Sequence, residues 1–171
     1  SAVSSDTSVV TVSVSGDTLT LDYQADQNGT ATITVTADSG GLTVDDVFTV
    51  TVTAVDDAPT VASAISDFTV SEDAANTTIG LSNVFNDVDD ANGAITKSAV
   101  SSNTSLVTVN VSGNTLTLDY QADQNGAATI TVTATSNGQT VDDVFSVTVS
   151  AVDDPPVVAN ATADVSVSQD A

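Results

Sequence analysis

The chain repeats itself almost verbatim. SAVSSDTSVVTVSVSGDTLTLDYQADQNGTATITVTADSGGLTVDDVFTVTVTAVDDAP opens at Ser1, and SAVSSNTSLVTVNVSGNTLTLDYQADQNGAATITVTATSNGQTVDDVFSVTVSAVDDPP opens at Ser98. The period is 98 − 1 = 97 residues, with no gap inside the matched stretch. That is the size of a domain, whereas solenoid rungs recur every ~20–50 residues. Whatever fold one unit takes must therefore work in tandem. The 171 residues hold about one and three-quarter units.

Within a unit the apolar residues alternate with Thr, Ser and Asp, the period of a half-buried strand. Val10, Val12 and Val14 share one face; Leu19, Leu21 and Tyr23 share the next. Between them lies Ser15-Gly16-Asp17-Thr18, and a Gly at the first central position suits a type II′ hairpin. Ala31, Ile33, Val35 and Ala37 line a third strand, and Phe48, Val50, Val52 and Ala54 a fourth. The second copy repeats this with Val107, Val109, Val111, Leu116, Leu118, Tyr120, Ile130, Val132, Phe145, Val147 and Val149. Between the copies, Val61–Ser71, Thr77–Ser82 and Ile95–Val100 are further β-prone stretches. No 3.6-residue apolar period persists. The expected fold is all-β: tandem immunoglobulin-like β-sandwich domains of about seven strands each.

Proline lacks the N–H that a ladder needs, so Pro59 and Pro155 are read as domain ends. On that phase, 1–58 is the C-terminal part of a first repeat, 59–155 a complete repeat, and 156–171 the opening strand of a third. No signal peptide, initiator Met or run of about 20 apolar residues is present, so the chain reads as a processed or excised segment with no membrane insertion.

Charge narrows the function classes. There are 22 Asp, one Glu, one Lys and no Arg or His, a net charge of −22. Phosphate recognition needs clustered Lys and Arg, so nucleic acid is excluded as a partner. The 40% apolar content, regularly spaced, argues against disorder. Without Cys there is neither a disulfide framework nor a thiolate metal site.

The acids cluster at Asp45-Asp46, Asp56-Asp57, Glu72-Asp73, Asn86–Asp90 (NDVDD), Asp142-Asp143 and Asp153-Asp154. Single Asp residues commonly serve turns. The pairs that precede prolines recur at the domain ends. Adjacent strand residues point to opposite faces, so a pair cannot chelate one ion alone. A site needs Asp56 or Asp57 to meet Glu72, Asp87 or Asp89 of the following domain. Asp87 and Asp89, at alternate positions, would face one way if extended. Carboxylates ~4 Å apart repel by roughly 4 kcal/mol at an effective dielectric near 20, so a junction of this kind calls for a cation. Oxygen-only ligands select calcium over zinc or copper.

Val55-Asp56-Asp57-Ala58-Pro59 is similar to the acidic linker of cadherin domains. VSEDA at 70–74, NVFNDVDD at 83–90 and ATITVTADSGG at 31–41 resemble the cadherin-like and immunoglobulin-like tandem repeats of giant bacterial surface adhesins. The resemblance spans essentially the whole chain and implies calcium at the junctions. Asp56, Asp57, Glu72, Asp87 and Asp89 are its candidate ligands, with Asp153 and Asp154 at the second linker. The chain departs from the pattern at Ala54 and Ala151, where a cadherin linker has a further Asp.

The loop LDYQADQNG, identical at 21–29 and 118–126, reads as a structural turn, though Asp22, Asp26 and Asn28 make it oxygen-rich. Lys97 reads as a solvated counter-charge. There is no nucleophile–base pair and no phosphate loop, so no enzyme is expected. The expected role is a calcium-stiffened extender in a secreted or cell-surface adhesin, its partners the neighbouring repeats. The alternatives are a filament subunit completed by strand addition from neighbouring subunits, and an adhesive module binding surface glycans.

Overall fold

The structure, a computed structural model, describes residues 1–170; Ala171, the last residue of the expected third-repeat segment, lies outside them. The chain is all-β. The first unit contributes β1 (Ala2–Ser4), β2 (Val10–Ser15), β3 (Thr18–Tyr23), β4 (Gly29–Ser39) and β5 (Leu42–Val52). The second contributes β6 (Thr60–Val61), β7 (Phe68–Ser71), β8 (Thr77–Gly80), β9 (Phe85–Asn86), β10 (Thr96–Ser101), β11 (Val107–Ser112), β12 (Thr115–Tyr120), β13 (Gly126–Ser136) and β14 (Gln139–Ser150).

The two hairpins read from Gly-Asp and Gly-Asn form as expected. Ser15 faces Thr18 and Ser112 faces Thr115 across two-residue turns. Gly16 and Gly113 take φ of 59° and 58° while the residues after them do not enter that region, which is the type II′ pattern.

In the second unit a four-stranded sheet, β10-β13-β14-β7, faces a three-stranded one, β11-β12-β8. Those seven strands match the expected number; the short β6-β9 pair is additional. Side chains of both sheets share one core, with Leu116 and Leu118 of β12 against Ile130 and Val132 of β13 and Phe145 and Val147 of β14. Burial along β14 alternates strictly, so one face is dry and the other wet. β7, the short second strand of the unit, and β14, its last, lie side by side and parallel, Val147 opposite Phe68 and Ser150 opposite Ser71. Their rings reinforce the pairing, Phe68 stacking on Phe145 with centroids 6.0 Å apart.

The first unit holds a sheet β1-β4-β5 and a pair β2-β3 around a small core of Val9, Val10, Ala31 and Ile33. Identical sequence is buried differently in the two units. Tyr120 is 7% exposed and donates its hydroxyl to Thr77 Oγ1 at 2.7 Å, whereas Tyr23 is 56% exposed. The difference is β8, which covers the edge of β12 from Thr115 to Leu118; no described strand does so for β3.

The expected opening strand in 156–171 does not form: residues 151–168 contain no strand. A lone extended segment has no ladder partner, and an exposed one gains nothing from its alternation.

Several acids prove to be structural ties. Asp143, buried, accepts from the Ile65 N–H at 2.9 Å, and Asp67 accepts from the Ser146 N–H at 2.7 Å, so the two pin the 62–67 loop to β14. Asp45 and Asp142 accept from the Thr36 and Thr133 hydroxyls across the paired strands, each at 2.6 Å.

Candidate metal centre

The twelve residues of β14 separate two groups of acids. The first lies where the first unit meets the second. Asp26 comes from the β3–β4 loop, Asp57 from the linker, and Asp87 and Asp89 from the loop between β9 and β10. Asp26, Gln27 and Asn28 line one cleft together with Val52–Val55, Asp57 and Asp89. The Asp57 N–H donates to Asp89 Oδ2 at 2.8 Å, bringing linker and loop together. Desolvation at the junction, then the negative charges of Asp89, Asp26, Asp87 and Asp56, push the Asp57 carboxyl above its ordinary range.

The NDVDD loop is not extended, so the condition under which Asp87 and Asp89 would face one way is not met. Asp87 Oδ1 accepts from the N–H groups of Asp89 and Asp90, at 2.9 and 3.1 Å, folding the loop into a turn around its own carboxylate. The other oxygen, Asp87 Oδ2, is buried and has no hydrogen-bond partner. Asp87 as a whole is only 7% exposed.

Lys97 anchors this loop from behind. Its ammonium donates to Asn92 O, Asn92 Oδ1 and Asn114 Oδ1 at 2.9 Å and to Ile95 O at 3.0 Å. Asn92 in turn donates to Ser82 O and Phe85 O. The solvated counter-charge expected of Lys97 is thus a partly buried strut. Desolvation lowers its pKa.

The second group lies at the other end of the second unit. Asp73, Asp123 and Asp154 each offer an oxygen within 4.8 Å of the others. The Asp123 N–H donates to Asp73 Oδ1 at 3.2 Å. Glu72, buried beside them, accepts from the Val152 N–H at 2.6 Å through Oε1 and from Asn125 Nδ2 at 3.4 Å through Oε2. Desolvation, then Asp73, Asp123 and Glu72, raise the pKa of Asp154.

Glu72 was expected to meet Asp56 or Asp57. It meets the second linker instead, because β7 runs parallel beside β14 and delivers Glu72 to the end where β14 finishes. Asp56 faces away from the first group: its carboxylate accepts from Asn137 Nδ2 at 2.7 Å and Gln139 Nε2 at 3.2 Å. Asp153 is exposed.

Asp26, Asp73 and Asp123 were not among the expected ligands. Each sits at positive φ, 57°, 61° and 56°, the left-handed region that Asp accepts in tight turns. The sequence signal was there for Asp26 and Asp123, in the loop kept verbatim in both copies, but it also fits a plain turn.

The two groups share corresponding residues. One period separates Asp26 from Asp123 and Asp57 from Asp154. The first group shows the side supplied by the following repeat (Asp87, Asp89), and the second the side supplied by the preceding one (Glu72, Asp73).

No protein-family model and no curated protein matches the chain. Among solved structures it is similar to an endo-fucoidan hydrolase from glycoside hydrolase family 107, at 15% identity and a TM-score of 0.42, over 94% of this chain and 25% of that one. It is similar to domains 4-9 of the surface layer protein SbsC at 20% identity and a TM-score of 0.42, over 89% of this chain and 22% of that one. It is also similar to the titin domains z1z2, crystallised in complex with telethonin, at 12% identity and a TM-score of 0.41, over 84% and 73%. The chain spans about a quarter of the length of the hydrolase chains. Among the described residues no helix is long and apolar enough to cross a membrane.

Proposed function

We propose that the chain is an extending segment of a secreted or cell-surface adhesin, whose tandem β-sandwich repeats are braced at their junctions by calcium. The observation that carries this reading is Asp87 Oδ2. A buried carboxylate oxygen without a partner costs about 1–3 kcal/mol, and more when charged. Here it stands among acids that already repel one another, in a chain with a single Lys committed elsewhere. A cation relieves both penalties.

The donor set fits calcium: carboxylates and carbonyls from separate segments, with no nitrogen or sulfur ligand. Asp26, Asp57, Asp87 and Asp89 would hold it at the first junction. Glu72, Asp73, Asp123 and Asp154 form the matching half at the second. When bound, the ion supplies positive charge that ties a loop of one repeat and the linker to a loop of the next.

Small-angle scattering and thermal unfolding, in millimolar calcium and then in chelator, test this. A longer, stiffer particle and a higher melting temperature in calcium are expected. Unchanged profiles refute the brace.

A second reading, assembly through strand addition between copies, rests on one observation. Val165–Ser168 lies one period beyond β7 and carries its alternation, and it is exposed, as is much of the first unit's β3. Solution mass that rises with concentration supports it; a monomer at every concentration sinks it.

A further inference from the structure

Asp56 and Asp90 are acids of the junction region that the candidate ion group does not use. Both are engaged by the tip of the β13–β14 hairpin. Asn137 Nδ2 lies 2.7 Å from Asp56 Oδ1 and 2.9 Å from Asp90 Oδ2, so one NH2 group spans two carboxylates. Gln139 Nε2 donates to the Asp56 carbonyl at 2.9 Å and to its carboxylate at 3.2 Å. Ser136 donates its hydroxyl to Asp90 Oδ2 at 2.6 Å. Three polar residues of one hairpin tip, Ser136, Asn137 and Gln139, thus grip the linker and the acidic loop together.

We propose that this tip is a latch independent of any cation. The Asn137 carboxamide bridges, by donating to both, a carboxylate pair that would otherwise repel. It thereby fixes the linker on the second repeat and withdraws Asp56 and Asp90 from the ion group. The sequence marks the latch as specific to this junction. One period earlier the hairpin tip reads Ser39-Gly40-Gly41-Leu42 where the second copy reads Ser136-Asn137-Gly138-Gln139. Gly40 and Leu42 bring no amide, so the two hairpins cannot grip a linker in the same way. Repeats that look alike then differ in how firmly each is seated on the linker before it.

The backbone tolerates the exchange. Asn137 sits at φ 46° and Gly40 at φ 62°, a region in which Gly is unstrained and Asn and Asp are accepted. The double variant Asn137→Gly/Gln139→Leu therefore installs the first copy's own residues and is expected to fold.

Amide hydrogen exchange in chelator tests the latch on the full chain. The readout is the Asp57 N–H, which is next to Asp56 and bonded to Asp89. Loss of the amide bonds should speed its exchange about tenfold in the double variant, with β13 and β14 amides unchanged. Asn137→Asp should speed it further, because three carboxylates then meet where an amide stood. Exchange at Asp57 that stays at the wild-type rate in either variant overturns the latch. The proposal deepens the junction reading, yet its test contains no calcium. A wild-type chain that binds no calcium refutes the brace alone, and unaltered exchange refutes the latch alone.

Discussion

Asp87→Asn turns one buried carboxylate oxygen into an NH2 group. The remaining oxygen keeps the two bonds from the Asp89 and Asp90 N–H groups, so the turn is retained. What changes is Oδ2, buried and without a partner. In chelator the substitution removes one negative charge from the junction and sets an NH2 donor among carboxylates where an unpaired buried acceptor stood. If about 1 kcal/mol of the ~1–3 kcal/mol penalty is recovered, the second repeat should melt about 4 °C higher, given the sensitivity of a domain near 100 residues. In calcium at about a hundred times its Kd, the wild type gains about 2.7 kcal/mol, near 11 °C on the same scale, and the variant loses most of it with the ligand. The same substitution is therefore stabilising in chelator and destabilising in calcium. Differential scanning calorimetry of both proteins under both conditions reads this directly. A variant that melts below wild type by the same amount in both conditions would show that Asp87 is a turn residue and nothing more.

Acidity should act in the same sense. Asp57 and Asp154 have raised pKa values, so their folded state binds protons more tightly than the unfolded one. In chelator their contribution to stability is worst at neutral pH and improves as pH falls through the raised values, levelling out below the ordinary carboxylate value. Asp6, whose pKa is lowered chiefly by the Ser8 hydroxyl, works the other way and loses its contribution as pH falls through its folded value. A urea midpoint for the second repeat that falls steadily on acidification in chelator contradicts the assignment for Asp154. Phe145→Ala should cost about 3–5 kcal/mol, since Phe145 is fully buried and stacked on Phe68, while Phe48→Ala, at the matching position of a part-exposed unit, should cost clearly less. Equal losses in denaturant titrations would refute the account of why identical strands are buried differently.

The hairpins and the all-β class were legible because they depend on neighbours: alternation at i and i+2, and a Gly where φ must be positive. The partner of β14 was not, because the parallel pairing with β7 joins residues about 80 apart and leaves no local mark. That pairing also decides where Glu72 goes. Of the linker acids beside their prolines, Asp57 and Asp154 reach the acidic groups, while Asp56 turns to Asn137 and Gln139 and Asp153 stays exposed. The placement of Asp26 and Asp123 in those groups was not legible, since a loop of Asp, Asn and Gly serves a turn equally well and the approach of loop to linker leaves no local mark. Lys97 misled for a related reason. A lone ammonium in an acidic chain invites an ion pair, yet three carbonyl-bearing residues cage it instead, Asn92, Ile95 and Asn114.

The parallel pairing of β7 with β14 has a consequence when tension runs along the chain. Load enters the second repeat through the linker, passes the short β6–β9 pair to reach β7, and leaves after β14. The two strands point the same way, so a pull draws β7 back by its start and β14 forward by its end. They slide past each other along their common axis. The ladder from Phe68 to Ser71 against Val147 to Ser150 is then sheared as a block, its bonds strained together rather than peeled one at a time. An antiparallel pairing of the same length, pulled from one end, would unzip. This four-residue ladder is then the part of the repeat expected to resist a pull, and single-molecule stretching of the second repeat with Val70→Pro, which removes one of those bonds, would measure it.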